Sequence, residues 1–173
     1  VDPDERSAPD KLPAAAILAL LDGAPFGRLA TYAPPADGAG GRCYVVPLQF
    51  LHREGLIYLI TTPGRKLTNL RAAPAAVCFQ LDLTEGAGWT SVCAWGDYSD
   101  VTDLRERLNV LAASFSKYPD RTTKQAAAWL RQHRPRFGPP GGAAGRGLAI
   151  GRIRVRSASG RSWPGLLLSA GPS

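Results

Sequence analysis

The turn Thr61-Thr62-Pro63-Gly64-Arg65-Lys66 sets two hydroxyls and two cations at one corner of the chain. Short donors beside a guanidinium and an ammonium suit a phosphate monoester, whose double charge answers two cations through charge-assisted hydrogen bonds. The pattern points to a phosphorylated cofactor. A second polar pair, Thr90-Ser91, follows Trp89 at the start of a later apolar segment. Farther on, Arg152, Arg154 and Arg156 alternate with Ile153 and Val155, so strand periodicity puts three guanidinium groups on one face. That face reads equally as solvated exterior or as a site for further phosphates, those of a reduced nicotinamide or deazaflavin cofactor or of nucleic acid.

Other chemistries are poorly served. His52 and His133 form no HxxxH-type pair, and Cys43, Cys78 and Cys93 have no CxxC spacing, so no protein-built metal site is expected. His52 falls in a turn and reads as an exposed bystander, and His133, ending a helix among arginines, reads as a cap. Three cysteines in apolar or alternating segments read as reduced strand residues, which fits a cytoplasmic setting. No run of 18 apolar residues occurs, and the N-terminal stretch is acidic and Pro-bearing, so a soluble, unexported protein without a membrane partner is expected. The charge is uneven. Of 21 Lys and Arg, 10 lie in Arg121–Ser173 with no acid, which leaves 11 against 14 acids before them. The field of that last third favours anions. It lacks the interleaved aromatic and basic residues that grip single strands, so nucleic acid is not the expected partner.

The 173 residues suffice for one core. Residues 1–9 read as a disordered arm, 10–160 as a single domain and 161–173 as a C-terminal tail. Asp10, able to cap, and Pro13 open a short helix that ends before Gly23. Strands are predicted at Phe26–Tyr32, Cys43–Leu51, Leu56–Thr62, Ala75–Leu83, Trp89–Val101 and Leu148–Ser157. Pro47 lacks a ladder donor, so it belongs at a bulge or a sheet edge, where backbone is free to meet a ligand. Lys66–Ala73 reads as one or two helical turns. Asp103 and Glu106 have capping-box spacing, and Leu104, Leu108, Leu111 and Phe115 recur on one face of a helix over Asp103–Ser116. A second helical stretch is predicted over Thr122–Gln132, a Gly/Pro/Ala-rich linker over Gly138–Gly147, and no clear period after Gly160.

Several pieces, taken in order, resemble the FMN-binding split-barrel superfamily that includes pyridoxamine 5'-phosphate oxidase, in its flavin-nucleotide-binding and nitroimidazole-reductase-like branch. They are Phe26-Gly27-Arg28-Leu29-Ala30-Thr31, Tyr44-Val45-Val46-Pro47-Leu48-Gln49-Phe50, Ile57 through Lys66, Asn69-Leu70-Arg71, and Trp89-Thr90-Ser91-Val92 leading to Gly96. The resemblance covers roughly residues 14 to 116. It implies a mainly β fold with flanking helices, a six-stranded antiparallel split barrel, usually homodimeric, with FMN in a groove between subunits. Carried over, Arg65 and Lys66 hold the phosphate with Thr61 and Thr62. Val46, Pro47, Leu48 and Gln49 line the flavin ring, and Thr90 and Ser91 reach the cofactor from the later strand.

Two departures qualify what the resemblance implies. Several nitroimidazole-reductase-like members carry a histidine just before the position of Thr61, where this chain has Ile60. The C-terminal Trp and Arg pattern with which pyridoxamine phosphate oxidases grip their substrate is not found, so vitamin B6 oxidation is not expected. The leading expectation is an FMN-dependent oxidoreductase acting on a small molecule, with a reduced nicotinamide as a candidate reductant and no catalytic side chain named. The alternatives are a non-catalytic flavin-nucleotide-binding protein and a deazaflavin- or haem-binding split barrel.

Overall fold

Period-two alternation is what makes the sheet. In Val77–Glu85, the residues Val77, Phe79 and Leu81 are buried while Cys78 and Gln80 between them are half-exposed. The computed structural model describes residues 9–35, 41–117 and 148–164. The elements in order are β1 (Asp10–Lys11), α1 (Ala14–Gly23), β2 (Phe26–Ala33), β3 (Arg42–Arg53), β4 (Leu56–Thr61), α2 (Arg65–Ala72), β5 (Val77–Glu85), β6 (Gly88–Asp100), α3 (Leu104–Lys117) and β7 (Ala149–Trp163).

All pairings are antiparallel, in the order β1-β7-β4-β3-β2-β5-β6, and β6 also pairs with β7. Six strands thus close into a ring, as the resemblance implies, and the seventh, β1, adds two residues to the far end of β7. Asp10 belongs to that bridge, not to a helix cap, and Pro13 is the residue before α1. The ring encloses Leu29, Phe50, Ile57, Leu59, Phe79, Leu81, Val92 and Ala94. Phe50 and Phe79 meet at 4.6 Å between centroids. A Cβ on Gly27 would meet the Phe79 ring at 2.3 Å, so only glycine lets that ring lie across β2. A second apolar cluster, with Tyr58, Val110, Leu111, Leu148 and Ile150, fastens α3 to the outside of β4 and β7.

Three further expectations are corrected. β7 does not stop at Ser157 but runs 15 residues to Trp163, paired with β6 to its end. Gly160 permits this because a Cβ there would lie 2.7 Å from Leu12 and 3.0 Å from Ile17, under the N-terminal elements. In α3 the predicted apolar face is turned, with Leu104 and Leu108 exposed and Arg107, Val110 and Leu111 buried. Polar anchors set that rotation: Tyr58 donates to Glu106 at 3.0 Å, Arg152 holds Glu106 at 2.6 Å, and Arg107 donates to the Leu148 carbonyl at 3.4 Å. The cap over Asp103 forms as expected, through the Glu106 N–H at 2.7 Å.

His52 is not in the turn. The β3–β4 turn is Glu54-Gly55, with φ of 53° and 74°, the two-residue geometry that suits the twist of a hairpin. His52 precedes it in β3 and is buried, its Nδ1 2.7 Å from Asp22 Oδ1 at the end of α1. Beside it Lys117 lies 4.5 Å over the Phe50 ring, and burial holds its ammonium below the usual lysine range against the pull of Asp22. No described helix is long and apolar enough to cross a membrane. The predicted Thr122–Gln132 helix, the Gly138–Gly147 linker and the tail from residue 165 lie outside the described residues.

Candidate functional site

Where β3 and β4 part, the barrel has an opening. β4 pairs with β3 only from Phe50↔Leu59 to Arg53↔Leu56, whereas β2 pairs with β3 from Phe26↔Gln49 to Ala33↔Arg42. The half-strand 42–49 therefore has a neighbour on one edge and, among the described residues, none on the other. Pro47 sits in it at an edge and not at a bulge, because the register runs unbroken through Arg28↔Pro47. A residue without an N–H is tolerated where ladder bonds end.

The cationic corner stands beside this opening. β4 ends at Thr61, Thr62 and Pro63 are exposed, and α2 begins at Arg65 behind Gly64. Three contacts fix α2. Leu67 and Leu70 are buried in the core, the buried Asn69 amide donates to Thr31 Oγ1 at 3.2 Å, and Thr31 donates to the Tyr44 carbonyl at 3.3 Å. This chain ties α2 to β2 and the open half of β3. At the other end Arg71 grips Asp100 with two bonds of 2.9 and 3.1 Å, which hold its guanidinium further into the charged form.

The corner itself is left open. Arg65 is exposed and its guanidinium lies 5.6 Å from the centroid of Tyr44, while Lys66 is half-buried. Neither is paired with an acid among the described residues. No side chain caps α2, and the first backbone bonds run from Leu67 and Thr68 to the Gly64 carbonyl at 3.0 and 3.1 Å. The amides of Arg65 and Lys66 stay available at the positive end of a helix dipole, which suits an anion. Thr61 Oγ1 donates to the Thr62 carbonyl at 3.3 Å and keeps its lone pairs. The donor set fits the phosphate of a flavin nucleotide.

The strand residues divide by face. Val46 and Leu48 pack against the core, so their contribution at the opening is backbone. Pro47 is exposed on the outer face, Gln49 is half-buried on that face, and Val45, which sequence reasoning passed over, is 55% exposed there. Ile60 packs partly buried against the α3 cluster. Thr90 and Ser91 point to opposite faces. Thr90 lines a cleft of about 510 Å³ with Leu20, Leu83 and Glu85. Ser91 joins an outer polar network in which Gln80 donates to it at 3.3 Å and to Asp82 at 2.9 Å, with Arg28 paired to Asp82.

Within one chain, these two residues are remote from the corner. Arg65 stands over Tyr44, whose row across the sheet runs through Thr31 and Val77 to Gly96. Ser91 is five residues up β6 from that row and three strands over, a separation on the order of 20 Å. The predicted arginine face is largely spent in ion pairs. Arg152 holds Glu106 at 2.6 Å and Arg156 holds Asp97 at 3.2 Å, and only Arg154 is exposed without an ion pair among the described residues.

Residues 13–135 match the profile of the pyridoxamine 5'-phosphate oxidase family. No curated protein matches. Among solved structures, the chain is similar to a FAD-binding protein from Mesorhizobium loti, at 28% identity over 90% of this chain and 98% of that one, with a TM-score of 0.62. It shares the fold of a FAD-binding protein from Mycobacterium smegmatis, at 18% identity over 91% and 98% of the two chains and a TM-score of 0.56. It also shares the fold of the haem-storage protein HutZ from Vibrio cholerae, at 13% identity over 86% and 94% and a TM-score of 0.59.

Proposed function

We propose, from the premise that this chain belongs to the pyridoxamine 5'-phosphate oxidase family, that it is a flavin-binding protein that holds FMN at the opening between β3 and β4. One observation carries this reading: Arg65 and Lys66, unengaged by any acid among the described residues, stand at an uncapped helix start beside the edge of residues 42–49 that no described strand pairs. The two cations and the first amides of α2 bind the phosphate, with the Thr61 and Thr62 hydroxyls on remaining oxygens. The free edge of Val46, Pro47 and Leu48 offers backbone groups to the ring's polar rim, and Pro47 and Gln49 offer side chains. The FAD-binding relative at 28% identity supports a flavin.

The remoteness of Thr90 and Ser91 supports a homodimer, since those hydroxyls meet the same cofactor only from a second copy. Phe26, 57% exposed, and Val45 offer apolar surface on β2 and β3 for that copy to cover. The bound flavin supplies the electron chemistry, and the protein supplies grip, orientation and exclusion of water. On this reading the protein is an oxidoreductase that uses a reduced nicotinamide on a small molecule. A second reading, a binder without turnover, is favoured by Ile60, which gives an apolar cluster the place where related reductases carry an imidazole.

The visible spectrum of the purified protein tests both, with flavin absorption expected near one per chain. A haem-type Soret band instead would overturn the proposal. Bleaching by reduced nicotinamide in the absence of other reductants separates enzyme from binder. Replacing Arg65 and Lys66 together with Ala removes at least two charge-assisted contacts of about 1.5–3 kcal/mol each, so FMN affinity is expected to fall by about 100-fold or more. Undiminished affinity in a folded double variant removes the corner from the site.

A further inference from the structure

Cys78 and Cys93 stand apart from the flavin reading, on the outer face of β5 and β6. The register pairs Cys78 with Trp95 and Gln80 with Cys93, so the two cysteines are diagonal neighbours on one face. The right-handed twist of such a ribbon shortens one diagonal, and the nearness of Cys93 is one of the causes that raise the Cys78 thiol. Both are half-buried. Cys43 is exposed and lies opposite Tyr32 on β3, while Cys78 lies opposite Ala30, so β2 runs between them. Two strand spacings, about 10 Å, keep Cys43 from bridging to Cys78.

We propose that Cys78 and Cys93 are a redox-modifiable dithiol that closes into a reversible intramolecular disulfide. The oxidant is a low-molecular-weight disulfide of the glutathione type. The Cys93 thiolate attacks one glutathione sulfur, forming a mixed disulfide and releasing one glutathione thiolate. Cys78 then loses its proton and attacks the Cys93 sulfur, releasing the second. The net change oxidises two protein thiols and reduces one glutathione disulfide to two thiols. Burial, and then Cys93, push the Cys78 thiol up to about 11, which makes Cys78 the slower, resolving partner. A diagonal bridge departs from relaxed disulfide geometry, and such strained bonds are the readily reduced ones.

The test is intact mass and peptide mapping of the whole purified chain after incubation in glutathione buffers from fully reduced to fully oxidised. The expected result is a species lighter by two hydrogens, a linked Cys78–Cys93 peptide, and alkylation confined to Cys43, all reversed by reduced glutathione. In Cys93→Ser that species should vanish, whereas Cys43→Ser should retain it. Two alkylatable thiols at positions 78 and 93 in every buffer, or persistence of the lighter species in Cys93→Ser, overturns the proposal.

Discussion

Two basic regions of this molecule look alike in composition and differ in what their charges face. Arg65 and Lys66 stand at a helix start with no acid paired to them among the described residues, while Arg152 and Arg156 on β7 are held by Glu106 and Asp97. The surroundings explain the difference. β7 runs beside the acid-bearing end of β6 and against α3, so its guanidinium groups meet carboxylates within the chain. The corner at Gly64 has a core-anchored helix behind it and open space in front. A guanidinium already neutralised by a neighbour has little left for a ligand, so basicity identifies an anion site only where internal partners are lacking.

The largest effect that separates the regions is on flavin retention. The Arg65→Ala/Lys66→Ala pair should lose it, whereas Arg152→Ala should keep FMN at full stoichiometry in the same absorbance titration. Arg152→Ala should instead lower stability in urea by about 1–2 kcal/mol, since it frees a part-buried Glu106. Equal flavin loss in both would erase the distinction.

Asn69→Ala sharpens the comparison from behind. It removes the buried link to Thr31 that orients the corner and should cost about 1–3 kcal/mol in thermal or urea unfolding. FMN affinity should weaken too, although Asn69 is behind the cations and not among them.

A pH series addresses the ribbon between the two regions. The Cys78 thiol is raised from 9.0 to about 11, so the folded state binds more protons than the unfolded chain in that window. Its contribution is complete below about 9 and is lost as pH rises through about 11. Unfolding free energy should slope downward there, and Cys78→Ala should flatten the slope.

The smallest effect is expected at Arg154, the exposed member of its triplet, where Ala should change stability by less than about 0.5 kcal/mol and leave FMN binding unaltered. A marked loss of affinity in that variant would restore a ligand role to the β7 face.

Much of the barrel was legible because its signals are local. The alternation of Val77–Glu85, the capping spacing of Asp103 and Glu106, and the turn at Glu54-Gly55 each act within a few residues. The corner was legible as well, since Thr61 to Lys66 are contiguous. The fate of His52 was not, because Asp22, its partner, is 30 residues away and meets it only when α1 closes the barrel end. Leu104 and Leu108 obey helical spacing yet face out, since Tyr58 and Arg152 decide which way α3 turns. The division of residues 45–49 between core and outer face follows from period two, but which set points inward depends on Phe50 meeting Phe79.

By itself the amino-acid order determined the strands, the helices and a cationic turn able to take a phosphate, because backbone preference, capping and alternation operate over short separations. Only the tertiary structure decided that β4 leaves β3 after four pairs, that Arg152 and Arg156 of β7 are held in ion pairs and that two cysteines become diagonal neighbours. Those outcomes depend on which distant segments share a hydrogen-bonded edge. That choice is settled by the burial of the whole apolar set at once and not by any one stretch of chain.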